Sequence, residues 1–96
     1  MKIDFLDAAK SELDDAIAYY DEQRFGSGLE FEEELEQALE RIDHPEAWSP
    51  LSSRVCRCVL NRFPYSVIYS IRSETIIIVA IQHHHKEPEG WRSRVY

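Results

Sequence analysis

Cysteine, glycine and long apolar runs are all scarce in this chain, and each scarcity excludes something. Two cysteines, Cys56 and Cys58, cannot build the multiply cross-linked scaffold of a small secreted protein. Two residues apart on a strand they share a face, roughly 6.5–7 Å from each other. That separation is at or beyond the comfortable reach of a disulfide. Both are expected as reduced packing thiols, the alternative being a Cys-x-Cys metal pair. Three glycines and four prolines in 96 residues rule out a collagen-like or linker-rich chain. The six-residue run Ile76–Ile81 falls far short of the roughly 18 residues of a membrane span. Met1-Lys2-Ile3-Asp4-Phe5-Leu6-Asp7 lacks the apolar stretch of a signal peptide, which predicts a cytoplasmic location.

Positive charge is also in short supply, but it is segregated. The net charge is −7. Residues 1–46 hold 15 Asp/Glu against 4 Lys/Arg, whereas residues 47–96 hold 3 against 7. An acidic far field repels nucleic acid, yet a basic half still supports local binding. At this length one domain is expected, spanning residues 1–96. It buries on the order of 60–65% of its unfolded surface, so the core is small and a partner chain would help it.

The pattern predicts the order β-α-α-β-β-β, an α+β fold. Ile3 and Phe5 alternate with polar neighbours as a short edge strand. Asp7 is placed to cap a helix whose buried stripe is Ala9, Leu13, Ala16, Ile17 and Tyr20. Gly26 is expected to end it. Ser27-Gly28-Leu29-Glu30 has the form of a capping box, with Ser27 at the cap. The second helix then carries Phe31, Leu35, Ala38, Leu39 and Ile42 on one stripe. Its glutamates, Glu34 among them, are expected mostly off that stripe on a solvated face. So short a link makes the two helices an antiparallel hairpin. After a loop over 44–53, strands are expected at about 54–60, 65–71 and 75–83, joined as antiparallel hairpins. Six consecutive apolar positions make the last strand central and covered on both faces.

Polar chemistry gathers at the end of the chain. If the last strand runs to residue 85, His83 and His85 share a face and His84 takes the other. Imidazoles titrate near neutrality, so these residues suit proton transfer, phosphate contact or a plain polar role. A metal is the weaker reading, because no third ligand has obvious spacing. Arg57, Arg62, Lys86, Arg92 and Arg94 form one patch if the strand ends converge, and guanidinium forks match phosphate oxygens. The opposing expectation is that these cations pair with the acidic helices. Trp91 either stacks on a base or pins the tail to the sheet.

The element order resembles the RelE/ParE superfamily, the toxin subunits of type II toxin–antitoxin modules. So do Arg62-Phe63-Pro64-Tyr65-Ser66-Val67-Ile68-Tyr69 and the ending Ala80-Ile81-Gln82-His83-His84-His85-Lys86 followed by Trp91-Arg92-Ser93-Arg94. The resemblance also takes in Ala16 to Phe31 and so covers nearly the whole chain. It implies a helix hairpin packed on a mainly antiparallel sheet and a toxin that arrests bacterial growth until a cognate antitoxin neutralises it. A homodimer, or a heterotetramer with the antitoxin, are the assemblies it suggests. No cofactor, metal or membrane is implied. Two activities divide the family: ribosome-dependent mRNA cleavage and non-enzymatic inhibition of DNA gyrase. A degenerate toxin without activity is the third possibility. For cleavage, His85 would be the general acid or base, with His83 as second choice and Arg57 and Arg62 stabilising the phosphorane. Arg54, Lys86, Trp91, Arg92 and Arg94 would hold the nucleic acid or target. Ser66 stands where the resemblance expects an arginine inside strand three. His85 stands at the arginine after strand four, and Trp91 at the late tyrosine. If the C-terminal half is a functional basic face, Arg57, Arg62, Lys86 and Arg94 are expected as a patch at one end of the sheet, away from Glu32, Glu33 and Glu36 and not consumed by the helices.

Overall fold

A computed structural model describes residues 2–43, 55–86 and 89–95. The elements are β1 (Lys2–Phe5), α1 (Asp7–Gln23), α2 (Ser27–Ile42), β2 (Val55–Val59), β3 (Tyr65–Arg72), β4 (Thr75–His83) and a short α3 (Arg92–Val95). The strands form one sheet in the order β1-β4-β3-β2. β1 runs parallel to β4, and the other pairs are antiparallel. The expected order therefore stands, with β4 inside the sheet and α3 as an addition.

The apolar periods explain the packing. Ala9, Leu13 and Ala16 of α1 and Phe31, Leu35, Ala38 and Ile42 of α2 are buried against Cys58, Val67, Tyr69, Ile76, Ile78 and Ile81. Tyr20, Phe63 and Tyr65 crowd around Phe31 with ring centroids 4.8–5.6 Å apart where they touch in these pairs: Tyr20–Phe63, Tyr20–Phe31, Phe31–Phe63 and Phe31–Tyr65. The opposite face of the sheet is not bare. Val55, Ile68, Val79 and Ala80 are buried there under Trp91, with Val95 packed beside them. Trp91 is 2% exposed, so it pins the tail to the sheet, one of its two expected roles. β4 is irregular in this region. Ile68 pairs with Ala80 and Tyr69 with Ile78, so Val79 is an extra residue, and Val79 and Ala80 both face Trp91.

Four local expectations are corrected. Ser27 is not the cap of α2. Gly26 holds that position with φ 88°, a left-handed conformation that suits glycine, and no side chain caps the helix there. The turn is closed instead by Asp21, whose Oδ1 accepts from the Gly28 N–H at 2.8 Å. Gly26 accordingly opens α2 rather than ending α1, which stops at Gln23. Leu6 precedes α1, and Asp7 is its first residue rather than its cap. Glu34 does not lie on a solvated face: its side chain is 2% exposed. Its position, three residues after Phe31, places it at the edge of the buried stripe, over the loop between β2 and β3.

That loop explains the burial. Glu34 Oε1 accepts from the Arg62 N–H at 2.6 Å, and Oε2 from Arg62 Nε at 2.8 Å. Burial alone would raise this carboxyl. Bonds from the Arg62 backbone and guanidinium and from the Asn61 backbone outweigh burial and hold it below the ordinary carboxylate range.

Candidate functional site

On the face away from the helices, strand alternation lines up Arg57 and Val59 of β2, Ser66 and Ile68 of β3, and Gln82 of β4. The tail then folds over this row. His84 and Lys86 follow β4 directly, and Trp91 with Arg92 returns against the sheet. Together they enclose a cleft of about 420 Å³. Ile68 and Trp91 give it apolar surface, and Arg57, Lys86 and Arg92 line it together with His83, His84 and one carboxylate, Glu89.

The lining cations differ in how they are held. Arg92 is paired with Glu89, and its guanidinium lies 4.7 Å from the centre of the Trp91 ring. Among the described residues no carboxylate is paired with Arg57 or Lys86. Deep in the cleft, Ser66 is 2% exposed and its Oγ lies 3.0 Å from His84 Nε2. The imidazole tautomer decides which of the two donates, and a buried hydroxyl holds the exposed His84. A guanidinium, an ammonium and an imidazole beside apolar surface suit an anionic group carried on a larger flat or apolar surface.

The expected patch of Arg57, Arg62, Lys86 and Arg94 is not assembled. Arg62 is bound to Glu34 on the helix side. Arg94 is bound to Glu12 of α1 by bonds of 2.8 and 3.0 Å. The physical reason is that both side chains reach carboxylates on the helix hairpin, which carries most of the acidic charge. Arg57 and Lys86 remain on the cleft, and Arg92 joins them. Arg54 lies outside the described residues.

The histidines also separate. β4 ends at His83, so His83 and His85 do not share a strand face in a continuing strand. The chain turns there, and the His85 N–H donates to His83 Nδ1 at 3.0 Å. Their rings lie 5.2 Å apart. His83 packs edge-on against Tyr65 at 4.9 Å. Burial, reinforced by His85, His84 and Lys86, lowers its affinity for a proton. His85 is exposed and borders neither this cleft nor the groove on the α1 side of β4. The Ser66–His84 contact was missed by sequence reasoning, although pairing Ser66 with Gln82 across the last hairpin would have placed His84 one step beyond.

The thiols are free, as expected. Burial raises the Cys56 thiol, and Tyr69 beside it is pushed up by burial as well. Neither is activated. Among the described residues no group of three His, Cys, Asp or Glu side chains could hold a metal ion. Nor is any described helix long and apolar enough to cross a membrane.

Comparison with known proteins agrees with this architecture. Among solved structures, the chromosomal ParDE toxin–antitoxin system from P. aeruginosa matches with a TM-score of 0.73 at 16% identity. The match covers 86% of this chain and 95% of that one. At that identity the likeness concerns the fold. No curated protein matches the chain. The family model for the ParE toxin of the type II toxin–antitoxin system parDE matches residues 3–88. The chain belongs to that family, the ParE toxins of type II toxin–antitoxin systems.

Proposed function

We propose that this toxin subunit arrests growth by binding a target macromolecule through the tail-side cleft, without cleaving it. The target that fits the family resemblance is DNA gyrase, and the cytoplasm is the compartment that reading requires. The observation that carries the proposal is the division of the cations. Arg57, Lys86 and Arg92 meet on one cleft over Trp91, while Arg62 and His85, two of the groups expected for cleavage, do not line it. Phosphodiester transfer needs an acid, a base and a cation around one phosphate. Here Arg62 is bound to Glu34, and His85 stands off the cleft. A binding surface needs only the cations and the apolar surface.

One contact favours a second reading. Ser66 and His84 are hydrogen-bonded in the cleft that Arg57 also lines, and that set supplies a candidate base with a cation for ribosome-bound mRNA. A supercoiling assay with purified gyrase, run beside a ribosome-dependent mRNA cleavage assay, separates the two. The proposal expects inhibition of supercoiling at micromolar toxin and intact mRNA. Cleavage that disappears in His84→Ala would establish the second reading, and inactivity in both assays on a toxic chain would reject both targets.

The antitoxin is the partner that membership of this family supplies. A heterotetramer with it is the proposed assembly, tested by the mass of the co-purified complex.

A further inference from the structure

β2 is an edge strand of the sheet, and its helix-side face carries both thiols of the chain. Cys56 stands opposite Tyr69, and Cys58 opposite Val67. Arg57, between them, lines the tail-side cleft on the other face. Cys58 is buried and Cys56 is partly exposed, so one sulfur sits in the core and the other gives access from outside.

Three observations make this pair more than packing. The first is reach. Residues two apart on a strand are separated by roughly 6.5–7 Å, at or beyond what a disulfide tolerates. A metal between the sulfurs closes the gap more easily, because two metal–sulfur bonds of about 2.3 Å each span about 4.6 Å. The second is a positive charge. Arg41 Nη2, on α2, donates to Cys58 Sγ at 3.6 Å and to the Val59 carbonyl at 3.4 Å. The third is the Tyr69 hydroxyl. Tyr69 is 0% exposed, and its hydroxyl is in no regular hydrogen bond. Burial raises its hold on its proton, and the groups that add to that effect are Cys56 and Cys58. A buried donor without an acceptor is costly, and a thiolate sulfur beside it would supply one.

We propose that Cys56 and Cys58 form a two-coordinate site for a soft monovalent cation, copper(I), with Arg41 and the Tyr69 hydroxyl stabilising the two sulfurs as thiolates. Softness selects the class of ion, since thiolates favour copper(I). Ligand number selects it too. A structural zinc site takes four ligands, and no group of three His, Cys, Asp or Glu side chains could hold a metal among the described residues. Copper(I) is satisfied by two sulfurs in line. The step balances: two thiols release two protons, one cation takes both sulfurs, and no electron moves. The bound unit carries one negative charge, which lies against the Arg41 guanidinium. Burial, only partly offset by Tyr69, makes the Cys56 proton harder to remove, so binding strengthens as pH rises. The site lies on the opposite face of β2 from the cleft and does not depend on which target the toxin binds.

The test is a titration of the purified chain with copper(I), oxygen-free and under reducing conditions, in competition with the chelator bicinchoninate. One copper(I) per chain is expected, with affinity rising about a hundredfold per pH unit below the thiol range because two protons leave. Cys56→Ser should weaken binding about a hundredfold or more, since the second ligand held at high effective concentration is gone. Tyr69→Phe should weaken it about two- to tenfold, the scale of one hydrogen bond. A His83→Ala/His85→Ala variant should bind as wild type does. In wild type, copper(I) should also shield Cys56 and Cys58 from alkylation, read by mass spectrometry, which decides the matter if a variant does not fold. Failure to compete with the chelator, or alkylation unaffected by copper(I), overturns the site. Binding kept in Cys56→Ser, or lost in the histidine variant, overturns it in favour of the histidines. One copper(I) shared between two chains, seen in the mass of the complex, overturns a site built within one chain. An unchanged affinity in Tyr69→Phe overturns the part given to that hydroxyl.

Discussion

Replacing Glu34 by glutamine should be one of the most damaging single-atom-scale changes on the helix hairpin. The Glu34 carboxylate is 2% exposed and takes two bonds from Arg62, at 2.6 and 2.8 Å. A hydrogen bond to a charged group contributes about 1.5–3 kcal/mol. Glutamine keeps one acceptor and turns an N–H donor toward the other, so one such bond is lost and about 1.5–3 kcal/mol is expected. A 96-residue chain has a total stability of roughly 5–14 kcal/mol, so this is a large fraction. At about 4–8 °C per kcal/mol, Tm should fall by roughly 6–24 °C. Arg62→Gln should cost less, about 0–1 kcal/mol, because the Arg62 side chain is 58% exposed and its backbone bond to Glu34 survives. Urea and thermal denaturation of both variants, followed by circular dichroism, measure the two costs. If Glu34→Gln falls within about 0.5 kcal/mol of wild type, or Arg62→Gln costs as much, the loop is not anchored by the buried carboxylate as argued.

Acid should remove the same anchor. Glu34 has a folded value below its ordinary one, so its contribution is complete above the ordinary carboxylate range and is lost as pH falls through the lowered value. Tm measured from pH 7 to pH 3 should therefore drop more steeply in wild type than in Glu34→Gln; parallel curves would refute the assignment. Gly28→Ala should be destabilising by about 1–3 kcal/mol, since its new methyl would lie 2.7 Å from the Ile17 carbonyl and 2.8 Å from Asp21 Cγ. A neutral result in denaturant melts would mean that the hairpin separates without cost. Trp91→Ala should release the tail at a cost of about 3–5 kcal/mol and speed amide exchange at Val79 and Ala80, which an unchanged exchange map would contradict.

The periodicities in the sequence were enough for the scaffold. The stripe through Phe31, Leu35 and Ile42 and the run from Ile76 to Ile81 each had one physical interpretation, and both were found as expected. What escaped was pairing between distant elements. Spacing from Phe31 puts Glu34 at the edge of the buried stripe, but an edge position alone does not bury a carboxylate. Its burial depends on the loop that crosses above it, 28 residues later in the chain. Arg94 finds Glu12 across 82 positions for the same reason. Local spacing shows that a cation exists, whereas tertiary packing decides whether a carboxylate takes it. The turn at Gly26 was misassigned by one residue, because Ser27 matches a cap motif that a left-handed glycine already fulfils.

The most direct test of the account is growth arrest by the induced toxin, compared with an Arg57→Ala/Lys86→Ala double variant of verified thermal stability. Both side chains border the tail-side cleft, and neither is in an ion pair among the described residues. The account predicts arrest by wild type, rescue by the co-expressed antitoxin, and loss of arrest in a double variant whose Tm is unchanged. A folded double variant that arrests growth as fully as wild type would contradict the cleft as the target-binding surface.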